Sequence, residues 1–182
     1  MTSHKHSFLD LVKICGTPSD DDMAGETLVP FYLDRSSKCP PIGRLRPQVV
    51  ELLLLEHERG TESSWVFTKD DDGLIISVSF HARLSTPTLR TAVMTELCER
   101  WRDTGVLDSY IGPNNWCNEL FLVYHNPYGI HGTNIAFEME RATCRIFGLP
   151  TYSIHMIVYN QETKGIWVAT RAKTQRCVYH QP

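Results

Sequence analysis

The sequence predicts an α+β fold, a mixed sheet with helices, followed by a separate β-hairpin. Three observations carry this. Residues 47–60 and 86–105 repeat apolar side chains at helical spacing. Between and beyond them lie short β-rich runs bounded by Gly, Pro, Asn and Asp. After residue 148 the pattern changes to strands with bulky residues on both faces. The 182 residues are 42% hydrophobic and 21% charged, which suits one large or two small globular domains. The expected division is an accessory α+β domain over residues 1–148 and a hairpin segment over 149–182.

The elements follow in order. Phe8, Leu11, Val12 and Cys15 form one stripe of a short helix ended by Gly16 and Pro18. A Ser/Asp/Gly stretch to Glu26 is loop. Val29 to Leu33 reads as a strand, Ser36 to Pro41 as a turn, and Ile42 to Leu45 as a second strand. Pro47 suits the first turn of a helix running through Val49, Val50, Leu53, Leu54 and His57 to a C′ glycine at Gly60. Trp65–Thr68 and Leu74–Phe80 form a hairpin around Lys69 to Gly73. The longest helix starts with Thr86 as N-cap and Pro87 at its first position. Its stripe is Leu89, Val93, Leu97 and Trp101, with Met94 and Cys98 beside it, and Gly105 ends it. Strands are expected at Trp116–Tyr124 and Ile135–Glu138, then a short helix from Arg141 to Phe147 closed by Gly148. In the tail, residues 151–159 and 166–171 are strands joined by Asn160 to Gly165. Tyr152, Ile154, Met156 and Val158 share one face, and His155, Ile157 and Tyr159 the other, so the hairpin calls for cover on both sides.

Charge and composition exclude several function classes. Eighteen Lys and Arg against 21 Asp and Glu give −3, which argues against a general grip on nucleic acid. The longest apolar runs, such as Leu52–Leu55, stop far short of a membrane span. The first 30 residues hold no signal-peptide core and are rich in aspartate, so a cytoplasmic chain is expected. The six cysteines are scattered, with no Cys-x-x-Cys pair, and read as reduced, mostly buried thiols. No phosphate-cradling glycine loop, no Gly-x-Ser-x-Gly elbow and no His-Glu-x-x-His occurs. Asp20–Asp22 and Asp70–Asp72 lack the alternation of a calcium loop and read as solvated turns.

Two groups of residues stay open to a ligand. His125 and His131 flank a loop but have no third ligand, which favours an ordinary surface or core role over a metal site. His155, inside an apolar strand, reads more readily as a hydrogen-bonded core residue than as a catalyst. Lys164, Arg171, Lys173 and Arg176 make the tail locally positive. Such a cluster either binds the phosphate of a small anionic ligand or keeps a strand edge charged against association.

Particular segments carry a family resemblance. Trp116-Cys-Asn-Glu-Leu-Phe-Leu-Val-Tyr124 is similar to the Trp-Arg-x-Glu-Leu-Tyr-x-Val-Tyr segment of fungal thiamine-pyrophosphokinase-related proteins. Glu140-Arg141-Ala142, Ile146-Phe147-Gly148 and Thr151-Tyr152-Ser153-Ile154-His155 resemble their Glu-Arg-Ala, Phe-Gly and Thr-Tyr-Gly-x-His run. Ile166 to Thr174 resembles their Ile-Trp-Val-Pro-Arg-Arg-Ser-Lys-Thr, with Ala169 and Thr170 in place of the Pro and the first Arg. Phe8–Val12, Ile42-Gly43 and Pro47–Val50 are weaker echoes.

The resemblance implies an N-terminal domain of unassigned function followed by a Nudix hydrolase domain. The activity it implies is hydrolysis of diphosphates of thiamine analogues or of oxidised nucleosides, not kinase chemistry. In the family, a helix bearing Gly-x5-Glu-x7-Arg-Glu-x-x-Glu-Glu holds Mg²⁺ or Mn²⁺. After Thr174 this chain instead reads Gln175 to Pro182, and no such box occurs among its residues. The expectation is therefore a truncated, Nudix-like first hairpin, no metal cofactor held by this chain, and no hydrolysis by it alone. Contacts to a small diphosphate ligand are expected at His155, Arg171 and Lys173. Two rivals stand beside this reading: a non-catalytic partner that associates through its exposed C-terminal hairpin, and a hairpin that simply joins the accessory domain's own sheet.

Overall fold

β1 (Val29–Tyr32) sits inside a four-stranded sheet of order β2-β1-β4-β3, in a computed structural model that describes residues 27–35, 40–60, 63–126, 134–152 and 158–167. β2 (Gly43–Leu45) and β3 (Trp65–Lys69) pair antiparallel with their neighbours, whereas β1 and β4 (Ile75–Phe80) run parallel, so the sheet is mixed. A parallel pair needs a crossover, and β2, helix α1 (Pro47–Arg59) and β3 supply it. Pro30 lacks an N–H, yet it stands one residue before the β4 pairing starts at Phe31, opposite Val78.

The β3–β4 hairpin turns as its sequence predicts. The Asp70 carboxylate accepts the N–H groups of Asp72 and Leu74 at 3.1 and 2.8 Å, and Gly73 takes φ +83°. The aspartate run is thus a turn device, as expected of residues 70–72. Asp20–Asp22 and the expected helix over 8–15 lie outside the described residues.

Helix α2 (Pro87–Thr104) is capped as expected. Thr86 Oγ1 accepts the Leu89 N–H at 3.3 Å, and Gly105 closes the helix in the left-handed region at φ 69°. Its buried line differs from the expected one. Leu89 is 45% exposed, while Arg90, Met94, Leu97, Cys98 and Trp101 are buried. Strict i, i+4 spacing drifts around a 3.6-residue turn, so a four-apart stripe cannot stay on one face over the whole helix. Gly60 also departs from expectation: it ends α1 in an extended conformation, φ −83° and ψ 141°, rather than as a left-handed cap.

Three further differences concern the second half. A four-residue helix, α3 (Asp108–Ile111), precedes the Gly112 turn, where the sequence pattern predicts none. The strand expected from Trp116 starts only at Leu120, giving β5 (Leu120–Tyr124), because Asn118 adopts φ 54°. The helix expected over 141–147 shrinks to a 3₁₀ turn (Arg141–Thr143) that continues as turns to Gly148. β6 (Ile135–Glu140) pairs antiparallel with β5 as a separate two-stranded sheet.

The core is an aromatic cluster that joins these pieces. Phe31 lies 5.3 Å from Phe80 and 6.1 Å from both Trp65 and Phe147, centroid to centroid. Phe80 meets Phe137 of β6 edge-on at 5.4 Å, and Trp101 of α2 stacks on Phe147 at 5.8 Å. Burying each such side chain contributes about 1.5–3 kcal/mol, so the cluster is the chief tie between the main sheet, α2 and β6. Two glycines permit the closest approach. A Cβ at Gly148 (φ 56°) would fall 2.1 Å from the Arg44 carbonyl oxygen, and one at Gly43 would fall 2.4 Å from that of Phe147.

Beyond the core, β7 (Val158–Tyr159) and β8 (Ile166–Trp167) form a third, isolated antiparallel pair. The molecule is thus an α+β fold with a mixed sheet, helices and a following hairpin. Among the described residues the hairpin does not join the main sheet.

Candidate functional site

The three residues singled out for ligand contact, His155, Arg171 and Lys173, all lie outside the described residues, as do Arg176 and His131. What is described is the hairpin over residues 158–167, which lies between His155 and Arg171 in the sequence. Asn160 organises its turn: the side-chain oxygen accepts the N–H groups of Glu162 and Thr163 at 2.9 Å, and its own N–H donates to the Gly165 carbonyl at 2.9 Å. Lys164 sits exposed in this turn at φ 56°.

The hairpin's apolar side chains stand in water. Trp167 is 72% exposed and Ile166 62%, with Val158 and Tyr159 half exposed. Both faces of the pair are represented in that set, since neighbouring strand residues point to opposite sides. Tyr152, in the segment leading to it, meets Tyr124 of β5 edge-on at 6.2 Å. Four large apolar groups on a two-stranded ribbon form a surface suited to further strands or to a partner, not to solvent.

The most constructed polar node lies elsewhere, at a position no sequence motif marks. The Glu140 side chain is buried at the end of β6 and accepts backbone N–H groups of Cys117, Glu119 and Ala142 at 2.9, 3.2 and 3.1 Å. This carboxylate takes the place of ladder partners for the N–H groups of Cys117 and Glu119, on either side of the Asn118 kink that delays β5. The available signal was an acid directly before a tight turn, the position from which a side chain caps free N–H groups. Arg141 Nε stands 2.8 Å from Glu119 Oε2, close enough for an ion pair but off the hydrogen-bond direction. Beside it, the Arg102 guanidinium lies 4.5 Å over the Trp116 ring. With its oxygens engaged by backbone donors, Glu140 anchors a loop rather than serving as a base.

Arg90 is the second buried polar group that pattern reading passed over. Its guanidinium donates to the carbonyls of Leu84, Ala136 and Ser85 at 2.9, 2.9 and 3.0 Å, tying α2 to β6. Burial pulls its pKa below the ordinary arginine value, opposed by the charge of Asp34. A Ser–His contact also occurs, with Ser63 Oγ 2.7 Å from His57 Nδ1. The Ser63 hydroxyl donates to the Trp65 carbonyl at 2.7 Å, so the pair joins α1 to β3 instead of activating a nucleophile.

The thiols divide. Cys98 and Cys144 are free and buried, and burial pushes each thiol up to about 12, which leaves them protonated and unreactive at neutral pH. Cys117 is disulfide-bonded, against the expectation of reduced thiols throughout.

Among the described residues, no three His, Cys, Asp or Glu side chains converge as a cation cage. No helix among them is long and apolar enough to cross a membrane. Comparison with curated proteins returns no match. A family model does match, over residues 8–151, which takes in the main sheet, both long helices, β5, β6 and the turn to Gly148, and ends before β7. The chain belongs to the family described as a domain of unknown function, DUF4743.

Proposed function

We propose that residues 1–148 are the non-catalytic accessory domain of a Nudix-type diphosphate hydrolase of the thiamine-pyrophosphokinase-related kind, and that 149–182 open its catalytic domain. One observation carries the reading most directly: the isolated hairpin with Trp167, Ile166, Val158 and Tyr159 in solvent. A two-stranded ribbon is marginal alone, and one with apolar groups on both faces has the form of a first pair awaiting further strands and helices. The extent of the matched family supports the division, since it reaches residue 151 and leaves the hairpin out.

Diphosphate cleavage in this class needs a divalent ion to neutralise the phosphates and to generate hydroxide. That ion needs a cluster of carboxylates on one helix, and the 182 residues hold no such box. The role left to these residues is ligand contact. Arg171 and Lys173 supply positive charge to a diphosphate, and His155 a hydrogen bond to the phosphate or the base. Titrating thiamine diphosphate into the protein by calorimetry tests this role. Weak binding that falls several-fold in Arg171→Ala and again in the double variant with Lys173→Ala is expected. Binding unchanged by both substitutions removes the assignment.

A second reading rests on the same exposed hairpin. An uncovered strand edge is a template for β-augmentation, so the chain serves as a non-catalytic partner that docks there. Association that depends on concentration and is lost in Trp167→Lys distinguishes this reading from the first.

A further inference from the structure

We draw no further inference here: the strongest candidate, the exposed apolar hairpin of Val158, Tyr159, Ile166 and Trp167, belongs to the site already described, and nothing in the structure shows what covers it.

Discussion

At the scale of single residues, Glu140 and Gly148 bear on the fold more than their sequence neighbourhoods suggest. Replacing Glu140 with Ala strips three backbone N–H groups of their acceptor at once. Each buried donor left without a partner costs about 1–3 kcal/mol, so denaturant unfolding of Glu140→Ala is expected to show a loss of at least about 2 kcal/mol. Glu140→Gln, which keeps an acceptor oxygen, is expected to lose clearly less. Gly148→Ala is a steric case. It places a methyl group against the Arg44 carbonyl and strains a left-handed backbone, for a loss of roughly 1–3 kcal/mol.

The buried thiols give a pH prediction. Cys98 and Cys144 titrate near 9 when the chain is unfolded and near 12 when burial withholds the thiolate from water. Above pH 9 the unfolded state loses these protons before the folded state does, so stability present below pH 9 declines as pH rises toward 12. Thermal melts between pH 7 and 10 are expected to show that fall, and Cys98→Ala is expected to flatten it. The same burial predicts that iodoacetamide at pH 8 labels neither thiol in the folded protein.

At the scale of elements, the legible parts were those in which local chemistry and burial agree. Thr86-Pro87 announces the start of α2 and Gly105 its end, and both perform those roles. Thr86→Ala is therefore expected to cost about 1 kcal/mol, measured by the shift of the denaturation midpoint. The β3–β4 turn was equally readable, because Asp70 and Gly73 dictate it. What escaped were features set by contacts distant in sequence. The segment leading into β5 is held by Glu140, some twenty residues onward, and the line of α2 that faces the core includes Arg90, whose carbonyl partners come from a loop and from β6. No periodicity encodes a guanidinium buried among backbone oxygens. The hairpin turn at Asn160 to Gly165 is legible as well, because Asn160 and Gly165 close it.

At the scale of the whole molecule, the aromatic cluster from Phe31 to Trp101 joins the main sheet, α2 and β6, while the described hairpin residues 158–167 add no side chain to the buried core. Trp101→Ala removes a stacked core residue and is expected to cost about 3–5 kcal/mol. Trp167→Lys, at a side chain mostly in solvent, is expected to change stability by less than about 0.5 kcal/mol.

In the proposed reading, an accessory domain is followed by the opening of a hydrolase domain, and the 182-residue sequence contains no carboxylate box for a divalent ion. The direct test is phosphate-release assay of the purified polypeptide with thiamine diphosphate and its oxidised analogues, in Mg²⁺ and in Mn²⁺. Release no faster than the protein-free control in either metal is the predicted result. Metal-dependent turnover that follows protein concentration and is abolished by a chelator would contradict it.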